Sequence, residues 1–464
     1  MIKINLVEEA AALATRWGQG HRVARLRSSL LGQRLAQGAF WSGLGGVVSR
    51  AATLLGTIAA ARLLGREVFG QLSMVQSTVT MFSVLSSFGL GVTATKYVAE
   101  HRLQQPTLAC SILRTCQIVA WITGSLGTLI LVGLAPWLAR ESLAAPELAA
   151  PLRLAAPVLL LGALSATQYG ALAGLEAFRG IAISSTQANL ILLVSMIAGA
   201  WWWGLPGAVA SLVVGAAMTW LFQQRSLVRA ARTAGLDLRQ RQPTQWRVLW
   251  SYSLPAVFSG IMIGPVNWYC NAMLVNGPAG YREMGAYNAG SQYLTALLFI
   301  PIVLSQAVLP MLSERFGARD QTRAMKLMLL SVRINALVVW PLVLLGSLAS
   351  PWLMRLCGPS FVEAWPTLIV CFLTAGILSL LTPISQVLAA TGRMWTGFLM
   401  NTGWAITFVV FTWLLVERGA LGLALARLIA YALHAAWTCA YAVYLLRTLK
   451  DTPWPGAGDP VGTP

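Results

Sequence analysis

Between Arg179 and Arg225 the chain runs for 45 residues, Gly180–Gln224, without one charged side chain. As a single helix that run would extend about 67 Å, roughly twice the 30 Å hydrocarbon core of a bilayer. Near its middle, Gly204-Leu205-Pro206-Gly207 supplies a turn, so the run reads as two membrane-crossing helices joined end to end. Further charge-free runs follow at Gln71–Thr95, Thr115–Ala139, Val248–Tyr281, Met284–Ser313 and Ile334–Met354. Only 10% of the residues are charged, where a soluble domain carries about a quarter. Counting apolar runs of span length gives twelve helices, starting near residues 39, 71, 115, 154, 180, 207, 252, 285, 331, 367, 394 and 420. The runs lack the two-residue alternation of outer-membrane strands, which excludes a barrel. The expected fold is an all-α polytopic membrane protein whose backbone groups are satisfied within each helix.

Lys and Arg near the span ends give the orientation. With the N-terminus inside, cytoplasmic segments hold 24 of them and the opposite loops seven, while Arg50 and Arg427 lie inside spans. The expectation is a multi-pass protein of a bacterial inner membrane with both termini in the cytoplasm. The net charge of +18 then reflects topology and contact with anionic lipid head groups, and requires no nucleic-acid partner. Residues 1–37 form a basic segment that lacks the apolar run of a cleavable signal, with an interfacial helix expected around Leu30–Ala36. Residues 38–222 would make the first bundle, 223–250 a basic cytoplasmic linker, 251–446 the second bundle, and 447–464 a disordered tail. Six cysteines without CxxC or metal spacing, and only three histidines, argue against a metal site. No cofactor is expected.

Sliding the chain by 215 residues brings its halves into register. Phe40–Gly70 falls over Pro255–Gly285, and Gly207-Ala-Val-Ala-Ser falls over Gly422-Leu-Ala-Leu-Ala. Ser73, Gln76, Ser77 and Thr80 fall over Asn288, Ser291, Gln292 and Thr295. An even number of spans per half makes this a parallel repeat: two pseudo-symmetric six-helix bundles about an axis along the membrane normal. Both polar quartets have helical spacing and occupy one face each. Span 1 adds Ser42, Gly46, Arg50, Thr53 and Thr57; span 7 adds Gly260, Gly264, Asn267 and Asn271, with Pro255 and Pro265 as bends. Such stripes can glue helices together. Four of them on repeat-related helices, one bearing an arginine, point instead to a water-accessible cavity between the bundles.

Arg50 is the side chain of greatest cost, with the nearest charges 16 residues before it and 12 after. A cation near mid-bilayer is expensive unless it faces such a cavity, where a planar guanidinium suits a phosphate. The other readings are an arginine hydrogen-bonded to a neighbouring helix and one that snorkels towards the interface. Arg427, with His434 on the same face, reads first as structural and second as auxiliary to the site; Lys96 and Arg333, at the cytoplasmic ends of spans 2 and 9, read as topology markers or as attractors of an anionic head group. All fifteen acidic residues fall outside span interiors. Cation exporters generally need a membrane carboxylate, so the substrate should be anionic. No P-loop, HExxH or paired acid and base occurs, and no enzymatic activity is expected.

Gly38-Ala-Phe-Trp-Ser, Ala61-Arg-Leu-Leu-Gly65-Arg-Glu-Val-Phe-Gly70, Phe88-Gly-Leu-Gly91 and Lys96-Tyr-Val-Ala stand in the first half. Ser253-Leu-Pro255, Gly285-Ala-Tyr-Asn-Ala289, Leu356-Cys-Gly358-Pro-Ser-Phe-Val-Glu-Ala364, Leu388-Ala-Ala-Thr-Gly392-Arg and Gly419-Ala-Leu-Gly422-Leu-Ala follow in the second. In order and spacing these resemble the polysaccharide biosynthesis protein family. These are lipid-linked oligosaccharide flippases of the multidrug/oligosaccharidyl-lipid/polysaccharide exporter superfamily, which includes the MATE transporters. The resemblance implies a two-bundle flippase that moves an undecaprenyl-diphosphate-linked O-antigen or exopolysaccharide repeat unit to the outer leaflet by alternating access. It also implies as partners a polyprenyl-diphosphate-linked glycan, the phospholipid membrane, and a polysaccharide polymerase or synthesis complex. Arg50 would hold the diphosphate and the stripes the sugar hydroxyls. The rival readings are an ion-coupled multidrug or metabolite antiporter and a non-transporting scaffold of a synthesis complex.

Overall fold

A computed structural model describes residues 30–102, 104–236, 262–278, 280–317, 321–390 and 394–448. Among them all regular structure is helical. Eight helical stretches are long and apolar enough to cross a membrane. Three of these fold back on themselves, at Gly65, at Gly204 and at the Val416–Arg418 turn, so the eight make eleven crossings. The first half consists of α1 (30–64), α2 (66–87), which the helix Leu90–His101 continues after a break at Phe88–Gly89, α3 (Pro106–Trp137), α4 (Pro157–Gly174), α5 (178–203) and α6 (205–233). The second consists of α7 (Ile263–Val275), α8 (Gly280–Gly317), α9 (Gln321–Leu348), α10 (Trp365–Ala390), α11 (Met394–Leu415) and α12 (Gly419–Thr448). The chain is therefore the all-α, two-lobed membrane protein expected, and α7 is the described part of the span expected from residue 252. Residues 1–29, Pro255, Gly260, residues 237–250 of the linker and residues 449–464 lie outside the described residues. The helix placed around Leu30–Ala36 is continuous with α1.

Two glycines make the reversals. Gly65 adopts φ 76°, ψ 169° and Gly204 adopts φ 59°, ψ −132°, backbone that a Cβ disfavours strongly. Gly204 is the first residue of the Gly-Leu-Pro-Gly turn read from sequence. At Gly65 the reversal is visible in the packing of α8, which meets α1 at Gly46–Phe299 and α2 at Gly70–Gly285. Position along α8 thus falls as α1 proceeds and rises again along α2. We call the end carrying Gly65 and Gly204 the loop end, and the other the open end.

The halves touch across their own symmetry. A Cβ on Gly70 would collide with the Tyr281 carbonyl, and one on Gly285 with the Arg66 carbonyl. The offset of 215 interchanges these two contacts. Ser73 and its counterpart Asn288 are hydrogen-bonded to each other at 2.5 Å. The pseudo-two-fold axis therefore passes between α2 and α8 near the loop end.

The cores follow the same geometry. At the loop end one cluster joins both halves, with Phe69, Leu131, Leu148 and Leu159 of the first alongside Tyr287, Tyr293, Phe361 and Phe408 of the second. At the open end the cores are separate: Leu90, Ile112, Leu164, Leu172 and Leu227 in the first half, Val308, Leu312, Met328 and Leu445 in the second. Where no core bridges the halves, a cleft can enter.

Candidate functional site

The cleft holds a cavity of about 450 Å³. Its walls are Gly45, Gly46, Ser49, Arg50 and Thr53 of α1, Tyr169 of α4, Phe178, Ile181, Ala182, Ser185 and Asn189 of α5, and Phe299, Ile302 and Val303 of α8. Both halves contribute, and no Asp or Glu is among the walls. Small residues make it: Gly45 lies against Ala182 and Gly46 against the Phe299 ring, so α1, α5 and α8 approach closely while Arg50, one turn further on, has room.

Arg50 makes no hydrogen bond or ion pair with another described residue. The same wall holds Ser49, whose buried hydroxyl oxygen has no partner, and Thr53, which donates to the Ser49 carbonyl at 2.9 Å. Thr57, one turn on, likewise donates to Thr53 at 2.9 Å. The side chain of Ser42 lies outside the described residues. The reading of α1 missed three polar walls, Tyr169, Ser185 and Asn189. Ser185 and Asn189 stand four apart in the polar run Ser184–Asn189, and Tyr169 follows Thr167-Gln168; such spacing is a signal, though it also marks helix-packing positions.

The other stripes lie closer to the loop end and bind one another. Asn271 donates to Ser77 at 3.0 Å, Trp268 to Thr78 at 2.9 Å and Asn288 to Ser73 at 2.5 Å. Gln292 reaches Asn288 at 3.4 Å. Gln76 is half-buried, whereas Thr80 and Thr295 are exposed. Both threonines donate to their own helices, as Asn267 does. Ser73, Ser77, Asn271 and Asn288 thus form a polar seam tying α2 to α7 and α8 in this conformation.

The loop end carries a charge cluster that sequence reasoning missed. Arg66, 8% exposed, joins the halves: Nη2 meets Glu283 at 2.6 Å, Nε donates to the Arg282 carbonyl at 2.9 Å, and Nη1 donates to the Ser360 carbonyl at 3.3 Å. Glu363 lies 3.9 Å from Arg66 and 3.7 Å from Arg282. The second oxygen of Glu283 accepts the Ala420 N–H at 2.8 Å, satisfying an N-terminal donor of α12.

Arg427 sits between these regions. Its Nη1 reaches the Tyr287 hydroxyl at 3.3 Å and the Ser291 hydroxyl at 3.5 Å, and the Tyr431 ring lies 5.8 Å away. His434 accepts the Trp437 indole N–H at 3.2 Å. It shares a helix with Arg427 but no contact. Lys96 lies over the Tyr97 ring at 5.0 Å, and Arg333 is exposed near the open end. Neither lines the Arg50 cavity.

The family model described as "Polysaccharide biosynthesis protein" matches residues 35–316, and the MatE model matches residues 255–414. The EPS I polysaccharide export inner membrane protein EpsE of Ralstonia nicotianae (strain ATCC BAA-1114 / GMI1000) is 26% identical over 414 residues, covering 86% of this chain and 88% of the relative. The stage V sporulation protein B of Bacillus subtilis (strain 168) is 24% identical over 436 residues, covering 84% and 81%. Among solved structures, the inward-facing conformation of a multidrug resistance MATE family transporter superposes with a TM-score of 0.76 at 15% identity, covering 89% of this chain and 99% of that one. An outward-facing conformation of a multidrug resistance MATE family transporter gives 0.64 at 14% identity, covering 89% and 96%. A two-lobed helical fold, a family-model match over more than half the chain, and an export relative aligned along most of its length agree: this chain is a multi-pass membrane protein belonging to the polysaccharide biosynthesis protein family.

Proposed function

We propose that this chain is a flippase that carries a polyprenyl-diphosphate-linked oligosaccharide, an O-antigen or exopolysaccharide repeat unit, from the cytoplasmic to the periplasmic leaflet by alternating access. One observation carries the reading: the cavity shared by the two halves contains an arginine with no counter-charge among the described residues, set among hydroxyl and amide side chains, and no carboxylate is among its walls. Arg50 is exposed in the cavity wall; a cation held at membrane depth without a partner is costly, and an anionic ligand removes that cost. A diphosphate offers the bidentate oxygens that a guanidinium fits best, while Thr53, Ser185 and Asn189 match sugar hydroxyls. The name of the EpsE relative, with its polysaccharide export, supports the same class of cargo.

The Lys and Arg distribution places the open end in the cytoplasm and the loop end in the periplasm, with both termini inside. In that orientation the conformation described is inward-facing. The cargo head group would enter the cleft from the inner leaflet while its polyprenyl tail stays in lipid between the halves. Separation of the seam and of the Arg66–Glu283 pair, together with closure at the open end, would then release it outward.

The test is made in cells lacking this protein, re-supplied with wild type or Arg50→Ala, scoring which leaflet holds the lipid-linked glycan. Inner-leaflet build-up relieved by wild type and not by Arg50→Ala is expected. Absence of build-up in the deletion, with altered drug sensitivity, would replace the flippase by an antiporter. Relief by both proteins equally would remove Arg50 as the anion ligand.

A further inference from the structure

Arg427 is the second arginine within a membrane-spanning helix, and its surroundings leave its charge unanswered. Of its five N–H donors, only those on Nη1 have partners, and both are neutral hydroxyls at long distance: Tyr287 at 3.3 Å and Ser291 at 3.5 Å. Its Nε is closed to solvent and has no hydrogen-bond partner. The Tyr431 ring at 5.8 Å solvates a cation without neutralising it. Among the described residues no carboxylate lies within 4 Å of the guanidinium; the ion pairs near Ala420 all belong to Arg66 and Arg282.

Its depth is read twice, independently. Arg427 is seven residues along α12 from Ala420, which is held at the loop end by Glu283. That places it about 10 Å below the loop-end cluster. Arg50 is fifteen residues along α1 from Gly65, about 22 Å below it. The difference of about 12 Å recurs on α8, where Arg427 meets Ser291 and the Arg50 cavity meets Phe299, eight residues on. The two arginines thus stand about 12 Å apart in depth, along a helix face that carries Ser291, Gln292 and Thr295 between them.

Resting on the flippase reading above, we propose that Arg427, with Tyr287 and Ser291, is a second anion station of the transport path. It takes the diphosphate from Arg50 as the open end closes. The first half captures the head group and the second half receives it, so the cargo changes hands across the pseudo-symmetry axis. An arginine that only clamps α12 to α8 would need no free donors and would fix no anion.

The full-length protein, purified into nanodiscs of zwitterionic lipid, is titrated with inorganic diphosphate, and the diphosphate-induced rise in unfolding temperature is followed. Arg50→Gln and Arg427→Gln are each expected to weaken binding by about tenfold or more, their combination to abolish it, and Arg427→Lys to retain most of it. The shift on adding diphosphate, rather than the unfolding temperature itself, is read, so a merely structural loss does not register as lost binding. Arg427→Gln binding as wild type, or wild type binding no diphosphate, would overturn the station. The leaflet measurement judges the flippase separately: without build-up in the deletion, a diphosphate response lost in Arg427→Gln would leave an anion site in a transporter of other cargo. In the same cells Arg427→Gln should leave the lipid-linked glycan on the inner leaflet while Arg427→Lys relieves it.

Discussion

Arg66 and Glu283 show how much one side chain's meaning depends on its partner. In sequence Arg66 is one more basic residue at a span end and Glu283 a loop acid 217 positions later; neither spacing nor type links them. Folded, they meet at 2.6 Å with the arginine almost wholly buried. Removing one partner of a buried pair leaves an uncompensated charge, which costs about 3–5 kcal/mol, whereas replacing both with apolar residues is often near neutral. Arg66→Met and Glu283→Met should therefore each lower the unfolding temperature more than the double substitution does. Thermal unfolding of the four proteins measures the coupling, and strict additivity would show that the pair does not hold the halves together. Arg50 was legible for the opposite reason: it stands alone in an apolar run, and its cost can be read without knowing any neighbour. The hydroxyls of Ser73 and Ser77 were legible as polar positions but not as parts of a seam, because a stripe facing a cavity and a stripe facing a partner helix have the same period.

Among the elements, the hairpins were the most readable. Membrane thickness limits each helix, and a charge-free run too long for one crossing must turn where glycine and proline allow. The α5–α6 reversal at Gly204 follows that rule. A Gly204→Val substitution would force a β-branched residue to φ near 59°, at a cost of about 1–3 kcal/mol. It should lower the unfolding temperature, and a neutral outcome would mean the turn can re-form at Leu205–Gly207. The segments between α3 and α4 and between α9 and α10 behave differently. Leu138–Ser142, Pro146–Leu148 and Ala149–Ala155 follow α3 as short helical turns, and Ser350–Cys357 and Pro359–Ala364 precede α10. Leu143, Leu148, Leu152 and Phe361 are fully buried there. These pieces roof the joint core at the loop end, and an apolar residue roofing a core looks in sequence like one in a loop.

For the whole molecule the decisive feature is one core shared by the halves at the loop end and cores confined to each half at the open end. A rigid-body transition that opens the loop end must part Gly70 from Gly285 and Ser73 from Asn288. In a background where the six native cysteines are replaced, Ser73→Cys with Asn288→Cys should cross-link under mild oxidation and stop transport, and reduction should restore it. Full activity of the cross-linked protein would exclude opening along this seam. An impermeant thiol reagent should reach Thr53→Cys from the cytoplasm and, in the resting state, not from the periplasm. The sequence by itself determined the twelve-span helical plan, the internal repeat and the cost of Arg50, because span length, hydrophobicity and isolated charge are local quantities set by the bilayer. Only the tertiary structure decided which end is closed, that Arg66 and Glu283 hold it, and that Arg427 stands without a counter-charge among the described residues. Those depend on which residues of one half meet which of the other, and a repeat offset aligns the halves without specifying the state in which they dock.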